Sequence, residues 1–99
     1  MKGYVLSGPA QTDLESIAAY LTEAGGVTIA RQVMRELRSA MQLLGQRPGI
    51  GHLREDLTEQ VVRFWPVYSY LIIYSPLTKP LEIVRVVRGS RDVPALLGP

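Results

Sequence analysis

Ninety-nine residues, 46% of them apolar and 20% charged, suit one globular domain spanning residues 1–99 and exclude a disordered chain. Zero cysteines rule out disulfides and thiolate chemistry, and the lone histidine, His52, leaves little with which to build a metal centre or a Ser/His triad, so no metal or cofactor is expected. The net charge of +2 is unevenly spread: residues 28–54 hold Arg31, Arg35, Arg38, Arg47 and Arg54 against Glu36 alone, whereas residues 55–78 set Arg63 against Glu55, Asp56 and Glu59. Such blocks suit either a basic face for an acidic protein or nucleic acid, or an ordinary solvated helix face.

Tyr4, Val5 and Leu6 form a short strand signal that stops at Ser7-Gly8-Pro9. Pro9 suits a first helical turn because it has no N–H to leave unsatisfied, and Ser7 or Gly8 can cap that turn. Leu14, Ile17, Ala18 and Leu21 then recur at helical spacing until Gly25-Gly26. A second helix is predicted over residues 27–44, with Ala30, Val33, Leu37, Ala40 and Leu44 on one stripe and Gly45 and Pro48 as its stop. The Gly-Gly corner folds the two helices into an antiparallel hairpin. Met34 and Met41 lie beside the stripe and read as core filler rather than a docking surface.

Residues 45–60 read as loop, with His52 exposed and inert. Strand periodicity follows at 61–65, 70–74 and 81–87, and the short connections 66–69 and 75–80 make an antiparallel meander. In the last strand, alternation sets Val84 and Val86 on one face and Ile83, Arg85 and Val87 on the other. By the same rule Arg85 and Arg88 point to opposite faces unless the strand ends or bulges between them. The expected fold is α+β: an N-terminal strand, then a helical hairpin packed on a mainly antiparallel sheet completed by the meander, its other face partly open. A slightly positive mean hydropathy leaves some of that apolar surface for a partner. No stretch is long enough to span a membrane and no signal pattern opens the chain, so a cytoplasmic protein is expected.

Several local words, in order, resemble the ParE/RelE toxin superfamily. They are Leu6-Ser7 ahead of Ala10, Asp13-Leu14, Ile17 and Tyr20; the turn Pro48-Gly49-Ile50-Gly51; the hairpin words Val62-Arg63-Phe64 and Tyr70 to Tyr74; and Ile83 to Asp92 with its closing Gly89-Ser90-Arg91-Asp92. Two departures are Arg88, where many relatives carry histidine, and Tyr68, where a glycine is common and a tyrosine cannot easily take positive φ.

The RelE branch cuts messenger RNA on the ribosome, which needs cations and a proton donor to stabilise a charged phosphorane. At the matching positions this chain has Val62, Phe64, Leu71 and Leu97, and only Arg91 is retained. It is therefore more similar to the ParE branch, whose members inhibit DNA gyrase and are neutralised by a cognate, ParD-like antitoxin. This resemblance implies a binder without catalytic residues. Candidate partner-binding residues are Arg63, Trp65, Arg85, Arg88 and Arg91, since arginine forks recognise carboxylates and phosphates and an exposed tryptophan makes a strong interface anchor. Each has a structural alternative: Arg91 pairing with Asp92 or Glu82, Arg85 reaching a local acid, Trp65 packing in the core. A ribosome-dependent nuclease with a rearranged site and an inactive relative that only binds antitoxin both remain open, as does direct contact with nucleic acid.

Overall fold

Ser7 begins the helical region in the computed structural model, which describes residues 3–89 and 93–97. Its Oγ accepts a hydrogen bond from the Ala10 amide at 3.0 Å, and Pro9 occupies the first turn of α1 (Gly8–Gln46). Drawn straight, the 39 residues of α1 would reach about 58 Å at 1.5 Å per residue. The longest dimension of the molecule is 37 Å, so the helix has to fold back. It does so at Gly26, whose φ of 88° and ψ of 169° belong to a region open to glycine alone. Residues 8–25 and 27–46 thus form the expected hairpin. Leu14 and Ile17 of the first half share one cluster with Leu37, Ala40, Met41 and Leu44 of the second, which makes Met41 core, as its spacing suggested.

The second half runs on to Gln46, past the expected stop, and Gly45 has a different task. A Cβ at Gly45 would lie 2.6 Å from the carbonyl oxygen of Gly3, so a hydrogen at this position lets the helix touch the segment leading into β1 (Tyr4–Leu6). Pro48 instead opens a single 3-10 turn, Pro48–Ile50.

The remaining strands are β2 (Arg63–Val67), β3 (Tyr70–Ser75) and β4 (Leu81–Arg88), in the sheet order β1-β4-β3-β2. The meander is antiparallel, and β1 joins β4 in parallel to give a mixed sheet. Pro66 lies in the edge strand β2, where a missing N–H leaves no ladder bond unmade. The β2–β3 turn corrects the expectation for Tyr68. Val67 pairs with Tyr70, leaving the two-residue turn Tyr68-Ser69, and Tyr68 does adopt a positive φ, 54°. A tight hairpin needs that left-handed residue to match strand twist, and the requirement overrides the side-chain preference.

A bulge in β4 corrects the expected strand faces. Ile73 pairs with Arg85 but Tyr74 pairs with Ile83, so Val84 is an extra residue and the alternation slips by one. Leu81, Ile83 and Val86 therefore join Tyr70, Ile72 and Tyr74 under the helical hairpin. Val84 and Val87 face the other way, towards a second cluster of Val62, Phe64, Ile73 and Val93. This second face is more covered than the sequence suggested. Leu57 of the preceding loop packs there, and so do Val93 and Leu97 of a five-residue helix, α2 (Val93–Leu97). No helix among the described residues is long and apolar enough to cross a membrane.

Candidate partner-binding surface

Beyond Ile83, the edge of β4 that faces away from β3 has no strand beside it, because β1 ends at Leu6 and the chain turns into α1. Side chains of α1 and its cap satisfy the freed backbone instead. Ser7 Oγ donates to the Val84 carbonyl at 2.7 Å, and Asp13 Oδ2 accepts from the Val86 amide at 3.0 Å. The same carboxylate holds Arg85 in a two-pronged ion pair at 2.7 and 2.8 Å. That hydrogen-bonded pairing raises the Arg85 guanidinium above its ordinary pKa, against a smaller opposing effect of burial. Arg85 is therefore a structural pin that closes the bulge, the local-acid alternative, with the acid supplied by the helix. The bulge lies before Arg85 rather than between Arg85 and Arg88, and both arginines reach α1.

Arg63 is also occupied. Its Nη1 donates to the Gly51 carbonyl at 2.7 Å, and the neighbouring Tyr74 hydroxyl accepts from the Gly51 amide at 2.8 Å while donating to the Pro48 carbonyl at 2.7 Å. The Pro48-to-Gly51 turn is thus a cradle for a buried phenol. Any Cβ on Gly51 would stand 2.2 Å from the Tyr74 oxygen, which explains the glycine. Burial raises the Tyr74 phenol above its usual pKa, and the Gly51 amide and the Arg63 charge only partly offset this.

Arg88 is different. It is exposed at the end of β4, its guanidinium 5.5 Å above the Tyr20 ring and its Nη1 at 3.4 Å from the Tyr20 hydroxyl, a contact that raises its pKa. Together with Asp13, Ile17, Tyr70 and Leu96 it lines a cleft of about 320 Å³ between the first half of α1 and the sheet. Arg91 and the rest of residues 90–92 lie outside the described residues.

Trp65 combines both of its alternatives. It is half-buried, with part of the indole packed on the main core and part lining a groove of about 500 Å³ beside Glu36, Leu43, Val67 and Tyr68. His52 is exposed as expected but not without contacts. Its backbone forms an antiparallel bridge with Phe64, and its ring is parallel to the indole within 7° at 6.0 Å between centroids. Leu43 and Tyr68, 38% and 61% exposed, belong to this groove and escaped the sequence reading. Leu43 had a signal, an apolar residue off the core stripe; Tyr68 had only its unusual place in a tight turn. The Trp65 groove and the Arg88 cleft flank the helical hairpin and come together where Tyr70 pairs with both Val67 and Arg88.

On the opposite face, Val62 and Phe64 are buried and Leu71 and Leu97 are packed against them, so these four make a core rather than a polar cleft. Among the described residues no group of acids and histidine is arranged to hold a metal ion.

A short β1, a helical hairpin with a glycine corner and a mixed four-stranded sheet define a small α+β fold. The family model for the ParE toxin of type II toxin–antitoxin systems, parDE, matches residues 4–93, and the chain belongs to this family. It is 33% identical over 98 residues to Toxin ParE1 of Caulobacter vibrioides, covering 99% of this chain and 100% of that protein. Its fold is similar to that of a chain from the chromosomal ParDE system of P. aeruginosa, with a TM-score of 0.74 at 20% identity, over 90% of this chain and 97% of the other.

Proposed function

We propose that this toxin acts in the cytoplasm by binding DNA gyrase and blocking its cycle, catalyses no reaction itself, and is held inactive by a cognate ParD-like antitoxin. The observation that carries the proposal is the ParE match over residues 4–93, joined to the apolar core at Val62, Phe64, Leu71 and Leu97. Cleavage of RNA would require cations and a proton donor at those four positions, and buried aliphatic and aromatic groups cannot supply them. A surface poison needs only exposed groups that bind. Arg88, with Arg91 beyond it, offers charge-assisted contacts for an acidic target surface, whereas the Trp65 groove offers the apolar seat that an antitoxin segment would cover.

The test is induced expression with three readouts, namely growth, DNA damage and messenger RNA integrity, alongside a supercoiling assay with purified gyrase. Growth arrest with DNA damage, intact RNA and inhibited supercoiling is expected. Position-specific cleavage of translated RNA without gyrase inhibition would overturn the proposal.

A further inference from the structure

The first half of α1 holds two arginines of β4 by different means. Asp13 meets Arg85 and Tyr20 meets Arg88, and the two pairs run in step, since seven helical residues advance about 10.5 Å and three strand residues about 10 Å. Buried Ile17 lies between them, four residues after Asp13 and three before Tyr20, so all three share one helix face and the apolar one seats that face on the sheet. The chemistry of the two holds differs. Asp13 neutralises Arg85 with a carboxylate, whereas Tyr20 offers Arg88 only a neutral ring face at 5.5 Å and a hydroxyl at 3.4 Å. Among the described residues the ion pairs are Arg54–Asp56 and Arg85–Asp13, so no carboxylate there cancels the Arg88 charge. One Nη1 donor faces the phenol, and no other hydrogen bond among the described residues engages the rest of the guanidinium fork.

We propose that Tyr20 is a positioning residue for Arg88, holding the guanidinium at the rim of its cleft without cancelling its charge, so that Arg88 meets an acidic group of the target already ordered. This rests on the reading above that Arg88 belongs to the binding surface. Ordering a long side chain only at the moment of binding weakens affinity by about 2- to 10-fold, which is the effect that Tyr20 avoids. A carboxylate in its place would hold the arginine as firmly but leave no net charge to offer. If Tyr20 instead touched the target itself, its effect would not depend on Arg88.

The experiment measures how much toxin per cell halves the growth rate of an expressing culture, a readout that does not depend on which target is hit, with the supercoiling assay run in parallel. Tyr20→Leu should raise the required dose by about 2- to 10-fold. Tyr20→Phe keeps the ring and loses only the long hydrogen bond, so it should raise the dose by less. Tyr20→Glu should raise it as far as Arg88→Ala does. With Arg88 already replaced by alanine, Tyr20→Leu should change nothing further. In the purified full-length toxin, the Nε–H resonance of Arg88 should lose its ring-current shift in Tyr20→Leu and keep it in Tyr20→Phe. Both melting curves should match the parent, because Tyr20 and Arg88 are exposed. An unchanged dose for Tyr20→Leu overturns the proposal, as does an equal loss with and without Arg88, which makes Tyr20 a target contact in its own right. A parent chain that arrests no growth, or an Arg88 resonance indifferent to Tyr20→Leu, overturns it too. If the dose pattern holds while supercoiling is not inhibited, the inference stands and the gyrase reading falls.

Discussion

Replacing Asp13 with alanine tests the idea that the β4 bulge is held by α1. The carboxylate accepts three hydrogen bonds, two from Arg85 and one from the Val86 amide, and its loss strands a guanidinium and a backbone N–H beside the core. Breaking one side of a fully buried pair costs about 3–5 kcal/mol. Here the Asp13 and Arg85 side chains retain 14% and 24% exposure, so water relieves part of that penalty and about 2–3 kcal/mol is expected. For a domain of this size that lowers the melting temperature by roughly 10–20 °C. Arg85→Ala should cost nearly as much, while the double variant should cost about 1–2 kcal/mol less than the sum, because once the acid has gone the arginine has little left to lose. Urea unfolding of the four proteins, each with its antitoxin absent, measures the cycle. Strict additivity, or a melting shift of only about 2 °C for Asp13→Ala, would mean that the bulge is held by strand pairing alone and refute the argument.

Tyr74→Phe removes the hydroxyl between Gly51 and Pro48 and should cost about 1–3 kcal/mol at neutral pH. Burial raises the folded-state pKa of Tyr74 above its ordinary 10.0, so the unfolded chain loses that proton first; its stabilising contribution is complete below pH 10.0 and declines as pH rises through the folded value. Comparing unfolding at pH 8 and above pH 10 should show the parent losing more stability than the phenylalanine variant. Gly45→Ala drives a methyl group into the Gly3 backbone and should destabilise by about 1–3 kcal/mol in urea, with backbone on both sides leaving nothing soft to yield. Tyr68→Gly should do the opposite, raising the unfolding free energy by about 0.5–1 kcal/mol by relieving the left-handed tyrosine, less the entropy of a freer unfolded chain. If the groove seats the antitoxin, the same variant weakens that complex in calorimetric titration. Arg88→Ala should leave the melting curve unchanged and reduce the proposed gyrase inhibition; full inhibition by this variant would remove the β4 terminus from the functional surface.

Much of this protein was legible because its signals are local. A serine cap, a proline in the first turn and apolar residues at helical spacing give α1 directly from neighbouring residues, and two glycines mark its corner because one of them must take a backbone conformation closed to other residues. The strands show in their composition, although β2 begins at Arg63 rather than Val61, since pairing with β3 and not propensity fixes where a ladder starts. The family words were legible too, but their roles were not. Ser7 bonds Val84, and Asp13 bonds Arg85 and Val86, across separations of 72 to 77 residues, and only folding brings them together. The same holds for Gly51, which is small because Tyr74, 23 residues later, fills the space. Four of the five candidate residues could be sorted only in three dimensions, Arg63 and Arg85 tied to the scaffold, Trp65 half in a groove and Arg88 on the surface. An arginine's charge is written in the sequence, but whether that charge is already spent on an internal carboxylate or carbonyl depends on which distant element the chain packs against it.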